Sequence, residues 1–163
     1  MHSPLGLDLA RPADTPEIAE MSRDLIEHGL EWSWTTRRVQ ASLRCRDTVV
    51  LRARRQDRLS GFAIMHFGSA EAHLLLLAVR PADRRGGIGH ALVRWLEESA
   101  LTAGLGVVYL EVRAGNAHAQ RFYQHLGYRR IAYVPGYYSG REAAYRMASD
   151  LWARASGGGV NAV

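Results

Sequence analysis

Apolar residues along the 163-residue chain recur with two different periods, one typical of helices and the other of strands. In the helical stretches an apolar side chain returns every three or four positions, as at Ile18 and Met21. The predicted helices cover residues 15–26, 35–44, 88–103 and 117–126. Asn116 stands before the last of them as an N-cap, and Gly104 and Gly127 follow the last two as helix-ending glycines.

Runs typical of strands fill most of the remaining chain. Residues 48–67 alternate around a polar turn at 55–58, which predicts a hairpin. Residues 72–79 read AHLLLLAV, so we expect a strand that is buried on both faces. Residues 7–14 open as a short predicted strand that Pro12 closes. The other predicted strands cover residues 107–112, 128–134 and 143–151, with the loop PGYYSGR between the last two.

The order of these elements predicts the fold class. A hairpin, a strand–helix–strand unit, a helix and a second hairpin indicate an α/β (α+β) domain with a mixed, mostly antiparallel sheet. We expect about seven strands and about four helices in a single domain that covers residues 1–152. Residues 153–163 are rich in glycine and are predicted to form a disordered tail.

Composition narrows the class of protein. Residues 1–14 lack the pattern of a secretory signal, and no apolar run approaches the roughly 20 residues that span a bilayer. Cys45 is the only cysteine, so the chain has no internal disulfide, and we expect a cytoplasmic protein without a membrane partner. The seven histidines show no metal-ligand spacing, so no metal is expected.

Charge is the second clue from composition. The 21 arginines and lysines, all of them arginine, exceed the 16 acidic residues, which gives a net charge of +5. An excess of basic residues fits either nucleic acid or a phosphorylated cofactor. Because the arginines are scattered rather than gathered on one helical face, nucleic acid is the less favoured partner.

The segment RRGGIG, residues 84–89, lies between an apolar strand and an amphipathic helix. A phosphate loop of the NTPase type would end in Gly-Lys-Ser/Thr, but His90 and an alanine follow the last glycine here. A dinucleotide-binding fold would use Gly87, Gly89 and a strand-end acid such as Glu111, but Leu92 stands where its third glycine belongs. An ordinary turn rarely needs three glycines. The remaining alternative is a cradle for pyrophosphate, formed by backbone N–H groups and the positive end of the helix.

Two segments together resemble the GNAT superfamily of N-acetyltransferases. The cofactor loop of that family follows the pattern Gln/Arg-x-x-Gly-x-Gly/Ala, which Arg84, Gly87 and Gly89 match. The second signature, Asn and Ala followed by aromatic-Tyr, is present in NAHAQRFYQHLGY, residues 116–128. The stretch 110–138 is most similar to the ribosomal-protein N-terminal alanine acetyltransferases and their protein N-α-acetyltransferase relatives. Acetyl-CoA is the cosubstrate that this resemblance implies.

The resemblance also implies roles for individual residues. Glu111 corresponds to the general base and Tyr123 to the general acid, and the Val79 N–H is a candidate donor to the oxyanion of acyl transfer. The implied cofactor-binding residues are Leu77, Ala78, Val79, Arg84, Arg85, Gly86, Gly87, Ile88, Gly89, His90, Asn116 and Tyr123. The implied acceptor-binding residues are Tyr137, Tyr138 and Trp32.

The acceptor is the least defined part of this interpretation. A protein or peptide N-terminus is the leading hypothesis, and a small amine such as an amino acid, polyamine or aminoglycoside is the alternative with the same chemistry. A module that binds CoA or nucleic acid without catalysing a reaction is the alternative from a different functional class. Arg141 adds positive charge where the family is often acidic, so the preferred peptide sequence is open. A homodimer is compatible with the resemblance.

Overall fold

The computed structural model describes residues 4–157, which contain seven strands and five α-helices. The strands are β1 (Leu5–Leu9), β2 (Thr48–Arg55), β3 (Arg58–Phe67), β4 (Ala72–Val79), β5 (Val107–Arg113), β6 (Arg129–Tyr138) and β7 (Glu142–Asp150). The α-helices are α1 (Thr15–Met21), α2 (Thr36–Arg44), α3 (Ile88–Thr102), α4 (Ala117–His125) and α5 (Leu151–Gly157). The strands form a mixed sheet, which confirms the predicted α/β class.

The chain divides into two compact units. The first contains the residues up to His66 together with Leu74–Leu96, and the second contains Phe67–His73 and the residues from Glu97 onward.

In the first unit the strand order is β1-β2-β3-β4, and the predicted hairpin of residues 48–67 is confirmed as β2 and β3. Its core is built from apolar side chains of α1, α2 and the strands, with Ile18, Val39 and Phe62 fully buried. The buried Arg52 on β2 binds Asp8 and Asp14, each at 2.8 Å, so its charge is compensated inside the unit. Breaking a buried pair of this kind is costly, because the remaining charge has no water to solvate it.

In the second unit the strand order is β5-β7-β6, and both pairings are antiparallel. Glu111 on β5 stands directly opposite Arg146 on β7. At the end of β5, the buried Gln120 of α4 donates hydrogen bonds to the carbonyl oxygens of Arg113 at 3.1 Å and Ala114 at 2.9 Å. These bonds fix the first turns of α4 against the end of β5.

Two burial patterns differ from those expected. Only alternate residues of β4 are buried, and the others are half-exposed, so this strand is not buried on both faces as predicted. On α4 the buried side chains are Gln120 and Tyr123, while Ala119 and Phe122, predicted to point inward, are only half-buried. The inward face is rotated by one position because the Gln120 amide satisfies backbone carbonyls that would otherwise lack donors.

The C-terminal prediction is also corrected. Helix α5 includes residues 153–157, which were expected to be disordered, and residues 158–163 lie outside the described part of the chain. Asp150 caps the helix by accepting from the Ala153 N–H at 2.9 Å, and Arg154 binds the buried Glu97 at 3.0 Å. The Asp150 cap and the buried ion pair therefore stabilise residues 153–157 as a helix, although glycine content alone predicted disorder there.

Over the same residues 4–157, no helix is long and apolar enough to cross a membrane. No cluster of three or more His, Cys, Asp or Glu side chains suited to a metal ion is found among the described residues.

Candidate active site

The glycine-rich segment turns the chain from β4 into α3 with left-handed backbone conformations. Arg85 has a φ of 68° and Gly87 a φ of 76°. A Cβ at Gly87 would meet no atom within 4 Å, so the requirement for glycine there is conformational and not a matter of space within the protein. Left-handed residues in such a turn direct successive N–H groups toward one side, an arrangement that favours anions.

The start of α3 has hydrogen-bond donors without acceptors. The first bond across it runs from the Ala91 N–H to the Gly87 oxygen at 3.0 Å. Within the described residues, the N–H groups of Gly87, Ile88, Gly89 and His90 have no acceptor. These are the donors that every helix N-terminus leaves over, and here the preceding glycines leave them uncovered.

Arginines border this segment. The Arg84 Nε donates to the Val79 oxygen at 3.2 Å, which ties the loop to the end of β4. The Arg55 guanidinium lies against Gly86, where an added Cβ would be 2.9 Å from its nitrogen. The Arg55 Nε is buried and has no hydrogen-bond partner among the described residues. The positive charge of Arg55 therefore lies beside the glycine segment and adds to the attraction for an anion.

The three predicted cofactor residues on β4 are its last three positions. Ala78 is buried, while Leu77 and Val79 are half-buried. A Cβ at Gly61 on β3 would lie only 2.8 Å from the Ala78 oxygen, so the two backbones approach closely there. The side chain of Ile88 is buried as well, so its backbone N–H is the part available to a ligand.

Glu111 is the centre of a charged cluster in the second unit. Its Oε1 accepts from the Arg146 Nε at 3.0 Å, and its Oε2 is 2.5 Å from the His73 Nε2. The His73 ring stacks on Tyr109 with 4.2 Å between ring centroids. His73 was not among the predicted site residues; a histidine inside an otherwise apolar strand is the signal in the sequence that marks it.

The cluster keeps Glu111 ionised. Burial by itself raises the pKa of the Glu111 carboxyl, but the hydrogen bonds and positive charge of His73 and Arg146 outweigh it. The net pKa is therefore below the ordinary value of 4.5. Burial, followed by the nearby negative charge of Glu111, raises the pKa of the Tyr137 hydroxyl.

Helix α4 carries Asn116 and Tyr123. The Asn116 side-chain oxygen caps the helix by accepting from the Ala119 N–H at 3.1 Å, as predicted, so only its NH₂ group is available to a ligand. Tyr123 is 9% exposed, and its ring packs edge-on against Phe122 and Tyr128. Burial raises the pKa of the Tyr123 hydroxyl, and no described residue forms a hydrogen bond with that hydroxyl.

The predicted acceptor-binding residues lie in both units. Tyr137 and Tyr138 end β6 instead of lying in a loop, because a register shift after Val134, with Gly136 at a φ of 62°, extends the strand. Their rings pack edge-on at 4.8 Å, and Tyr137 is 41% exposed. Trp32 lies in the first unit, 37% exposed, with the Arg23 guanidinium 5.5 Å from its ring.

A comparison with known families decides the identity of the domain. Residues 16–128 match the sequence profile of the Acetyltransferase (GNAT) family. The chain belongs to this family. The matched region contains both predicted signatures and therefore confirms the resemblance seen in the sequence.

Individual relatives agree with the family match. The [ribosomal protein bS18]-alanine N-acetyltransferase of Salmonella typhimurium is 37% identical over 98 residues, which cover 58% of this chain and 66% of the relative. The solved structure of Ard1 from Thermoplasma volcanium is 26% identical with a TM-score of 0.82, over 90% of this chain and 97% of that one. A nourseothricin acetyltransferase structure is also 26% identical, with a TM-score of 0.62, over 65% and 66% of the two chains.

Proposed function

We propose that this GNAT chain is an acetyl-CoA-dependent N-acetyltransferase that acts on the N-terminal α-amine of a protein or peptide. The observation that carries the proposal is the row of four unpaired N–H donors at the start of α3, from Gly87 to His90. Donors in a row at a helix N-terminus suit the oxygens of a pyrophosphate. This arrangement suits a ligand with that group, and coenzyme A has one.

The residues present fit acetyl-CoA. The N–H groups of Gly87, Ile88, Gly89 and His90 would hold the pyrophosphate, and Arg84 and Arg85 would add positive charge. Each interaction with the helix end contributes only about 0.3–1 kcal/mol at an exposed site, so several must act together. The last residues of β4 and the NH₂ group of Asn116 would contact the remainder of the cofactor. Once bound, acetyl-CoA supplies an acetyl group activated as a thioester.

Glu111 handles the proton of the acceptor amine. An α-amine has an ordinary pKa of about 7.7–8.0, so much of it is protonated at neutral pH and needs a base before it can attack. The Glu111 carboxylate stays ionised because His73 and Arg146 hold its pKa low. It is therefore negatively charged and attracts the ammonium to the place where its proton is removed.

Tyr123 acts on the leaving sulfur. Burial raises the pKa of its hydroxyl, so the hydroxyl keeps its proton throughout the neutral range. An ordinary alkyl thiol has a pKa of about 8.5, below that of a tyrosine at about 10. The Tyr123 oxygen therefore donates a hydrogen bond to the developing thiolate and is not fully deprotonated by it.

The acceptor assignment is supported by similarity and by the end of β6. The Salmonella relative is named for acetylation of an alanine of a ribosomal protein. Tyr137 presents a partly exposed ring beside Tyr138, a surface that suits an extended peptide. The nourseothricin acetyltransferase is named for a different acceptor, so a small amine remains the alternative to a peptide. A single exposed thiol, Cys45, fits the reducing cytoplasm as the location.

Release of free thiol from acetyl-CoA tests the proposal. We would measure kcat/KM for a panel of short peptides with free N-termini and for a panel of polyamines, amino acids and aminoglycosides. We expect the best peptide to exceed the best small amine by at least tenfold. Preference for a small amine would move the enzyme to the alternative acceptor class, and no thiol release with either panel would contradict the acetyltransferase assignment. Light scattering on the same preparation would test whether the chain forms a homodimer.

A further inference from the structure

His73 and Glu111 form a pair in which the two members differ in accessibility. The Glu111 side chain is 6% exposed and the His73 side chain is 20% exposed. Both carboxylate oxygens of Glu111 are already occupied, one by Arg146 and the other by His73. The histidine is therefore the member of the pair that an incoming amine can reach.

The hydrogen bond fixes which ring nitrogen carries the proton. An ionised carboxylate only accepts hydrogen bonds, so the His73 Nε2 must donate to it across the 2.5 Å separation. In a neutral imidazole the other nitrogen, Nδ1, then carries the lone pair. No described residue donates to the Nδ1 of His73. This ring is stacked on Tyr109, which holds its orientation.

The groups around the pair oppose a role for Glu111 as the proton acceptor on its own. Arg146 is bound to its Oε1, and the negative charge of Glu111 contributes to the raised pKa of three nearby hydroxyls, those of Tyr109, Tyr137 and Tyr138. An ordinary carboxylate, with a pKa of about 4, is a weak base toward an ammonium with an ordinary pKa of about 7.7–8.0. Imidazole is the usual general base of enzymes because its basicity is closer to neutral pH.

We propose that His73 accepts the proton of the acceptor amine and that Glu111 orients its ring and stabilises its protonated form. This inference rests on the proposed function, because it assigns the base for that reaction. It is the logic of a catalytic dyad, in which the buried acid fixes the tautomer and the imidazole moves the proton.

The proton passes from the acceptor amine to His73, and Glu111 compensates the resulting positive charge. The N–H bond of the ammonium breaks, and its proton forms a new bond to the His73 Nδ1, directly or through a water molecule. The electron pair left on the amine nitrogen becomes the nucleophile. The Nε2 proton stays in its hydrogen bond to the Glu111 Oε2, whose negative charge compensates the imidazolium. After transfer, Nδ1 returns its proton to solvent and the neutral ring is restored.

The variant His73→Gln tests this assignment, because glutamine keeps a hydrogen-bond donor for Glu111 but cannot take up a proton. We expect kcat on the best amine acceptor to fall by about a hundredfold near pH 7, and the loss to shrink toward pH 9, where the amine is already neutral. Acetyl-CoA affinity by calorimetry should stay within twofold. His66→Gln is the matched control, since His66 also bonds through its ring, at 3.3 Å from the Thr48 hydroxyl, and its variant should behave like the parent.

Two further measurements separate the proposal from a structural role. The double variant of His73→Gln with Glu111→Gln should lose little more activity than either single variant, because members of one relay act as a unit. Activity of His73→Gln within threefold of the parent, or an equal loss at every pH, would overturn the inference. If the parent itself transfers no acetyl group, the proposed function fails instead. The NMR pH response of the His73 ring then decides the inference, which requires that Glu111→Gln change it and leave the response of His66 unaltered.

Discussion

The indole of Trp152 lies across Gly106, so close that a Cβ on this glycine would be 2.3 Å from a ring carbon. Gly106 precedes β5, and Trp152 belongs to the first turn of α5. The contact adds to the Asp150 cap and the Arg154–Glu97 pair in holding α5 in place, and it packs the helix beside the start of the strand that carries Glu111.

Gly106→Ala should therefore destabilise the protein. The ring must move to admit the methyl group, and overpacking of this kind costs about 1–3 kcal/mol. We expect the Tm to fall by roughly 2–4 °C for each kcal/mol. Gly6→Ala is the control, because its nearest neighbour would be at an ordinary 3.8 Å. The double variant Gly106→Ala/Trp152→Ala should lose less stability than the sum of the single changes, and additive losses would show that the contact is unimportant.

Gly87→Val should weaken acetyl-CoA binding. A branched side chain is strained at a φ of 76° and would stand beside the unpaired N–H groups of α3. We expect the dissociation constant from calorimetry to rise roughly tenfold, which corresponds to about 1.4 kcal/mol. Gly104→Val provides the matched control, since Gly104 has a φ of 83° and equally open surroundings but lies at the other end of the helix. Equal affinity in the two variants would rule out the cradle.

The periodicity of the sequence predicted much of the fold because each signal there is local. The helix caps, the hairpin of residues 48–67 and the glycine turn depend on neighbours within a few positions. The order of α5 could not be predicted in this way. It depends on the bond from Arg154 to Glu97 and on the contact of Trp152 with Gly106, which join residues 57 and 46 positions apart along the chain.

The candidate site likewise contains residues that local motifs identify and residues that only the fold brings together. The family signatures identified the glycine segment, Glu111 and Tyr123, because those residues lie in continuous motifs. His73 lies 38 positions before Glu111, and only the sheet brings them within hydrogen-bond distance. The contact of Arg55 with Gly86 is likewise non-local, so the sequence showed the glycine and not the cation that packs on it.

Glu111→Gln should lower kcat by ~10²–10⁴-fold near neutral pH, with a smaller loss at high pH where more of the acceptor is neutral. Because the pKa of Glu111 lies below 4.5, its own titration should not shape the parent profile above about pH 6. Glu97→Gln is the control, since Glu97 is also a buried carboxylate, and it binds Tyr128 and Arg154. It should lower the Tm and keep the parental pH profile of kcat. A loss of activity in Glu111→Gln that is the same at every pH would exclude Glu111 from the proton step.

Tyr123→Phe should reduce kcat by about a hundredfold and leave acetyl-CoA affinity nearly unchanged, because it removes one donor to the leaving sulfur and keeps the buried ring. Tyr128→Phe is the comparison, since Tyr128 packs edge-on against Tyr123 and its hydroxyl binds Glu97 at 3.0 Å. This second change should affect stability and not kcat. A higher KM with unchanged kcat in Tyr123→Phe would mean that its hydroxyl only binds the cofactor.

The position at which a peptide is acetylated shows which amine the enzyme accepts. The substrate would be a peptide with a free N-terminal alanine and an internal lysine, incubated with the parent protein and acetyl-CoA and then sequenced by tandem mass spectrometry. We expect one added acetyl group on the N-terminal nitrogen, with the lysine unmodified, and no product when the N-terminus is blocked beforehand. Acetylation of the lysine in the blocked peptide would contradict the assignment of the N-terminal α-amine as the acceptor. So would acetylation of neither nitrogen while a small amine is acetylated.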